Sequence, residues 1–199
     1  MKLTVPVEQM TAALYIAAKS DVRYYLNGIY YDAAAKNLVA TNGNMLYVGR
    51  PGTVMSENES CILPREFCEA TVKAYKAAGA PLIDIEVTPG NTGSSCLQLK
   101  TAHTIGMSID GRFPDWRRVY PKTVSGEPAI FDPELLMAAV KANKALGAKA
   151  SAAGRFEFYL NGDEGAQQGG VAVLCDGKAH VVVMPYKNHK DAAFVPFPV

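Results

Sequence analysis

The sequence predicts an α+β fold of three similar βαβββ-type units, with helices on one side of antiparallel sheets. Three observations predict it. A short apolar strand running into a proline-marked helix start recurs at residues 3–10, 61–68 and 129–136. After each helix the apolar period changes from helical spacing to alternation. The units, each roughly 50–60 residues long, are too small to bury an apolar face alone, so they must pack on one another.

The first unit opens with Pro6 at the helix entry, where the missing N–H of proline costs nothing because first-turn N–H groups lack partners anyway. Val7, Met10, Leu14 and Ala17 then recur at helical spacing, which predicts a one-sided core face. Glu8 falls in the first turn, where a carboxylate complements the helix dipole. Residues 23–32 and 37–50 read as strands, with Asn42-Gly43 as a turn signal. The second unit repeats the scheme with Pro64 and Glu66, followed by strands at 82–88 and 95–110 around the turn-rich stretch 89–93. In the third, Asp132 is placed to cap the helix ahead of Pro133 and Glu134. Strands are expected at 155–160 and 170–184, separated by residues 161–165, with a second turn at Asp176-Gly177. Residues 1–121 thus form one two-unit domain and 122–127 a linker. Residues 128–187 form a half-sized unit, and 188–199 a tail.

Composition narrows the function classes. The 199 residues are 49% hydrophobic and 20% charged, with a formal net charge of +1. That balance argues against a strongly basic nucleic-acid binder and against a disordered chain. No apolar run reaches the roughly 18 residues of a membrane span, and residues 1–6 lack the apolar core of a signal peptide, so a cytoplasmic protein is expected. Cys61, Cys68, Cys96 and Cys175 form no C-x-x-C pair, and His103, His180 and His189 are equally dispersed. Close ligand pairs mark zinc sites, so no metal or other cofactor is expected. Paired carboxylates, a Ser-His-Asp order, a P-loop and a G-x-G-x-x-G motif are all missing, and no enzyme is predicted.

Three segments go further. DVRYYLNG at 21–28, GRFPDWRRVYP at 111–121 and HVVVMPYK at 180–187, in that order, resemble the bacterial sliding clamp family, the β subunit of the replicative DNA polymerase. Residues 1–121 look like the clamp's middle domain, and 128–187 like the second half of its last domain, as in a truncated and divergent member. The resemblance implies a DNA-clamp-like fold and a non-catalytic role as a polymerase processivity factor in DNA replication. The family forms a closed ring with helices lining the inner surface around duplex DNA. A homo-oligomer is therefore implied, most simply a dimer, encircling or contacting DNA. Lys73 and Lys76 on the second helix, and Lys141 and Lys144 on the third, share faces at i, i+3 spacing and would neutralise phosphates.

The family also carries a hydrophobic pocket that docks short peptides of polymerases and repair proteins. The resemblance places it on Arg23 and Leu26, then on Thr41, Gly43, Asn44, Met45 and Leu46. The interdomain link adds Pro114, Arg118 and Val119. The last strand adds Val182, Val183, Met184, Pro185, Tyr186 and Lys187. Apolar members would take aliphatic or aromatic anchors, while Arg118 and Asn44 hold the peptide backbone. Asn44 and Met45 stand where the family commonly has His and Arg, and Tyr186-Lys187 where it has Met-Arg. An alternative is a phage or mobile-element decoy or adaptor that binds such peptides without encircling DNA. The tail, with Phe194 and Phe197, either lies over a nearby strand, is disordered, or places one phenylalanine in this pocket.

Overall fold

The structure is a computed structural model. It describes residues 2–50, 59–90, 95–125, 131–149, 155–161 and 170–185. Strand β1 (Lys2–Pro6) runs straight into α1 (Val7–Ile16), and β2 (Gly28–Asp32), β3 (Asn37–Thr41) and β4 (Met45–Gly49) follow. The scheme repeats with β5 (Cys61–Pro64), α2 (Arg65–Ala77), β6 (Leu82–Pro89), β7 (Leu97–Lys100) and β8 (Ile105–Met107). After β9 (Val124–Ser125) come α3 (Pro133–Ala145), β10 (Glu157–Asn161), β11 (Gly170–Leu174) and β12 (Ala179–Val183). All pairings are antiparallel, in one sheet ordered β1-β6-β7-β8 and another ordered β5-β2-β3-β4-β12-β11-β10-β9. The β4–β12 pairing, with Leu46 opposite Val182, carries the larger sheet from the first unit into the third.

Local chemistry sets the helix starts. Pro6 and Pro64 immediately precede α1 and α2, and Glu8 and Glu66 lie in the first turns. The Asp132 carboxylate accepts the Glu134 N–H at 2.8 Å and caps α3. The expected one-sided face of α1 is wider than its apolar spacing indicates. Val7, Gln9, Met10, Ala12, Ala13, Leu14 and Ile16 are all buried, because α1 packs against both α2 and α3 as well as the sheet.

Two strand expectations change. Residues 23–27 are not strand: Tyr24–Leu26 form a 3-10 turn. The Asn27 amide accepts the Asp21 N–H and donates to the Asp21 carbonyl, each at 2.9 Å, so the loop closes on itself before β2 begins. Residues 95–110 divide into β7 and β8 at a turn in which the Thr101 hydroxyl oxygen accepts the Thr104 N–H at 2.9 Å. Side-chain bonding of this kind competes with the sheet ladder.

Period two is obeyed on both faces of the larger sheet. Leu38, Ala40, Met45, Tyr47, Val181 and Val183 join the core beneath the helices, together with Ile83 and Ile85 of the smaller sheet. Val39, Leu46, Val48 and Val182 face the other way, into a second core closed by Leu26, Phe113 and Trp116. The central strand β4 is buried at every position for this reason.

Candidate functional site

On the face away from the helices, the β3–β4 hairpin, β12 and the segment following β8 enclose a cleft of about 190 Å³. That volume lies below the roughly 300–1,000 Å³ of small-molecule sites. It suits side-chain anchors of a chain running along the surface.

The hairpin tip is built by short polar side chains. The Thr41 hydroxyl donates to the Met45 carbonyl at 2.6 Å and accepts the Gly43 N–H at 3.1 Å. The Asn42 side-chain oxygen accepts the N–H groups of Asn44 at 2.9 Å and Met45 at 2.8 Å. Gly43 adopts φ +92°, and a Cβ there would stand 2.7 Å from an Arg23 guanidinium nitrogen. Only glycine meets both demands without strain. Arg23 itself is held by a two-pronged pair with Asp21, at 2.9 and 2.7 Å. Those contacts from Arg23 lower the partly buried Asp21 carboxyl to a pKa of about 2.

The opposite wall is a 3-10 turn, Trp116–Arg118, capped by the Asp115 carboxylate. Its anchor lies in the sheet. The Trp116 indole N–H donates to Asp32 at 2.9 Å, and the Arg117 guanidinium meets the same carboxylate oxygen at 2.8 Å. Burial alone would raise the Asp32 pKa. The Trp116 bond, the Ala35 N–H and Arg117 outweigh it and hold the carboxyl below its ordinary value. Arg117 also lies over the indole ring, 4.6 Å from its centroid. At the far end, the Met184 N–H donates to the Asn44 carbonyl at 2.9 Å, closing β12 onto the hairpin tip.

Of the residues singled out in the sequence, Arg23, Leu26, Thr41, Gly43, Met45 and Leu46 line this cleft. So do Pro114, Val119, Val182 and Met184. Val183 does not: alternation along β12 turns it into the core under the helices, where it is fully buried. Asn44 and Arg118 are exposed outside the lining, and Pro185, partly buried, also lies outside it. Tyr186, Lys187 and the tail fall outside the described residues. Phe113, Asp115 and Trp116 complete the lining and were not picked out. The signal for them was their place beside Pro114 and before Val119 in one short segment, where a turn brings neighbours onto the same wall.

Lys73, Lys76, Lys141 and Lys144 are exposed on α2 and α3, on the side of the larger sheet opposite the cleft. Among the described residues no group of three His, Cys, Asp or Glu side chains is placed to hold a metal, and no helix is long and apolar enough to cross a membrane. Burial pushes the Cys61 thiol up to about 12 and raises that of Cys68 further, as expected of packed rather than reactive cysteines.

No family model matches the chain. It is 36% identical to the β sliding clamp of Proteus mirabilis over 110 residues, covering 53% of this chain and 29% of that protein. Against the β sliding clamp of Escherichia coli K12 the identity is 34% over 116 residues, covering 56% of this chain and 30% of the relative. The chain thus spans less than a third of the length of the curated relatives it matches. In fold, it superimposes on the β sliding clamp of Caulobacter crescentus with a TM-score of 0.63 at 17% identity, covering 94% of this chain and 66% of the other. The Pseudomonas aeruginosa sliding clamp gives 0.59 at 16%, with the same coverage. A Bartonella birtlesii sliding clamp bound to griselimycin gives 0.62 at 15%. The clamp fold therefore extends over nearly the whole chain, while recognisable sequence covers about half of it: the chain is a divergent relative of the bacterial β sliding clamps.

Proposed function

We propose that the chain is a non-catalytic, clamp-type DNA replication protein acting in the cytoplasm. In this reading the cleft between β3–β4, β12 and the segment 113–119 takes the apolar anchors of peptides borne by polymerases or repair proteins. The observation that carries the reading is convergence. Four separate stretches of the sequence supply Leu26, Leu46, Pro114 and Val182 to one apolar hollow, rimmed by Arg23 and Thr41. An apolar hollow with few polar groups is the usual form of a peptide-anchor site. The exposed lysines of α2 and α3 would face duplex DNA without reading sequence, and a homo-oligomer, simplest as a dimer, would hold the DNA.

The test is fluorescence anisotropy with a labelled peptide carrying Leu and Phe anchors, against the same peptide with both anchors changed to Ala. Saturable binding of the first and at least tenfold weaker binding of the second supports the reading. Equal binding of the two, or none, overturns it. Light scattering then gives the oligomer, and loss of a nicked circular DNA on linearisation separates encirclement from an adaptor that holds peptides alone.

A further inference from the structure

A second cleft, of about 370 Å³, adjoins the first along the same two strands. Along β4 the outward positions run Leu46 and Val48, with Arg50 just past the strand's end; on β12 they run Val182 and then His180, which pairs with Val48. Same-face positions two residues apart are separated by about 7 Å along a strand. Trp116 forms a wall of both clefts. The two hollows are thus consecutive stations on one surface, divided by the Arg117–Trp116 stack.

Their chemistry differs. The first is chiefly aliphatic, with one arginine already paired to Asp21. The second is lined by Arg50, Arg117, Lys122 and Lys178, with His180 and Tyr120, and among the described residues no carboxylate lines it. Arg117 is offset by Asp32, and Lys178 by Glu8 at 3.0 Å. Arg50, exposed, keeps the cleft cationic. Arg50 makes its charge felt by its neighbours: after burial, it is the second cause holding the His180 pKa below its ordinary value. Asn37 also lines the cleft. The Asn37 side-chain oxygen is buried without a hydrogen-bond partner, although such atoms are normally paired.

We propose that this second cleft receives an acidic stretch flanking the apolar anchors of the peptide that fills the first. The inference rests on the peptide reading above and names the partner's chemistry: aliphatic or aromatic anchors, then Asp or Glu within about two to four residues, the reach of an extended chain at roughly 3.3 Å per residue. Arg50 is the specificity-determining contact.

The test uses two labelled peptides with identical Leu and Phe anchors, flanked on both sides by three Glu or by three Gln, on wild type, Arg50→Gln and Lys122→Gln. Both substitutions are at exposed positions. The expected result is binding of the Glu peptide about fivefold tighter than the Gln peptide in wild type at low salt, a preference of surface ion-pair size. The preference shrinks in each variant and fades as salt is raised. Equal binding of both peptides to wild type overturns the inference and leaves the apolar site standing. Failure of both peptides overturns the apolar site and the inference together. A labelled DNA oligonucleotide that binds with the same sensitivity to Arg50→Gln, with no preference between the peptides, assigns the cleft to phosphate and also overturns the inference.

Discussion

The indole N–H of Trp116 donates to the buried carboxylate of Asp32 across 2.9 Å, joining residues 84 positions apart in the chain. This bond fixes one wall of the apolar cleft to the end of β2, and the Arg117 guanidinium on the same carboxylate completes the anchor. Trp116→Phe removes the donor and leaves one acceptor of Asp32 short of a partner, at a cost of about 1–2 kcal/mol. Asp32→Ala strands both the indole and the guanidinium and costs about 3 kcal/mol. Urea unfolding followed by circular dichroism checks both, and equal midpoints in wild type and Asp32→Ala would show that the anchor is dispensable.

Acid should loosen the same anchor. The folded Asp32 carboxyl titrates below its ordinary value, so its stabilising effect is complete above the unfolded pKa, near 4, and is lost as pH falls through the folded value. The stability gap between wild type and Asp32→Asn therefore narrows on going from pH 5 to pH 2. His180 is held below its ordinary value by burial and by Arg50, so it too favours the folded state at higher pH. Wild type loses stability relative to His180→Gln as pH falls from 7 through the folded His180 pKa. Unfolding midpoints at a series of pH values, with Trp116, the sole tryptophan, as the fluorophore, measure both effects.

Gly43→Ala combines two penalties, a left-handed backbone at φ +92° and a Cβ in the space of the Arg23 guanidinium. Destabilisation of about 1 kcal/mol or more is expected. Because Arg23 is tethered to Asp21, the displaced guanidinium moves over the cleft mouth and weakens peptide binding several-fold. Binding at the wild-type level would place the peptide elsewhere.

Removal of charge from the helix side should leave peptide binding untouched. Lys73→Gln combined with Lys141→Gln alters exposed positions on α2 and α3, across the larger sheet from the cleft. Duplex DNA affinity should fall, with a shallower salt dependence, because each phosphate contact contributes about one unit to that slope. Unchanged DNA affinity and slope would remove these helices from any DNA-facing role.

Much of this was legible in the chain because local chemistry determined it. Pro6, Pro64 and Asp132 marked helix starts by rules that operate within one turn. Asn42-Gly43 marked the hairpin that now forms the cleft rim. What the sequence did not disclose depends on long-range placement. That α1 is buried on nearly all sides follows from its position between α2 and α3, not from its own pattern. The 3-10 turn at Tyr24–Leu26 depends on an Asn27–Asp21 closure hidden inside an apparently strand-like run. Nothing local marked Trp116 as a wall of the cleft, and its partner Asp32 gave no sign of a role. The direction of Val183 was a matter of strand parity: once Val182 faces the cleft, its neighbour cannot.

That parity supplies the most direct test of the central claim, that peptide anchors enter the hollow between Leu46, Val182 and Met184. Met184→Ala and Val183→Ala alter adjacent residues on opposite faces of the sheet. The account predicts that Met184→Ala weakens a Leu- and Phe-anchored peptide by about 2 kcal/mol or more, roughly thirtyfold, with little loss of stability. Val183→Ala should do the reverse, costing about 2 kcal/mol of folding stability while leaving the affinity of the folded protein unchanged. Fluorescence anisotropy on the two folded variants decides it. Wild-type affinity in Met184→Ala, or an equal loss in both variants, would contradict the account.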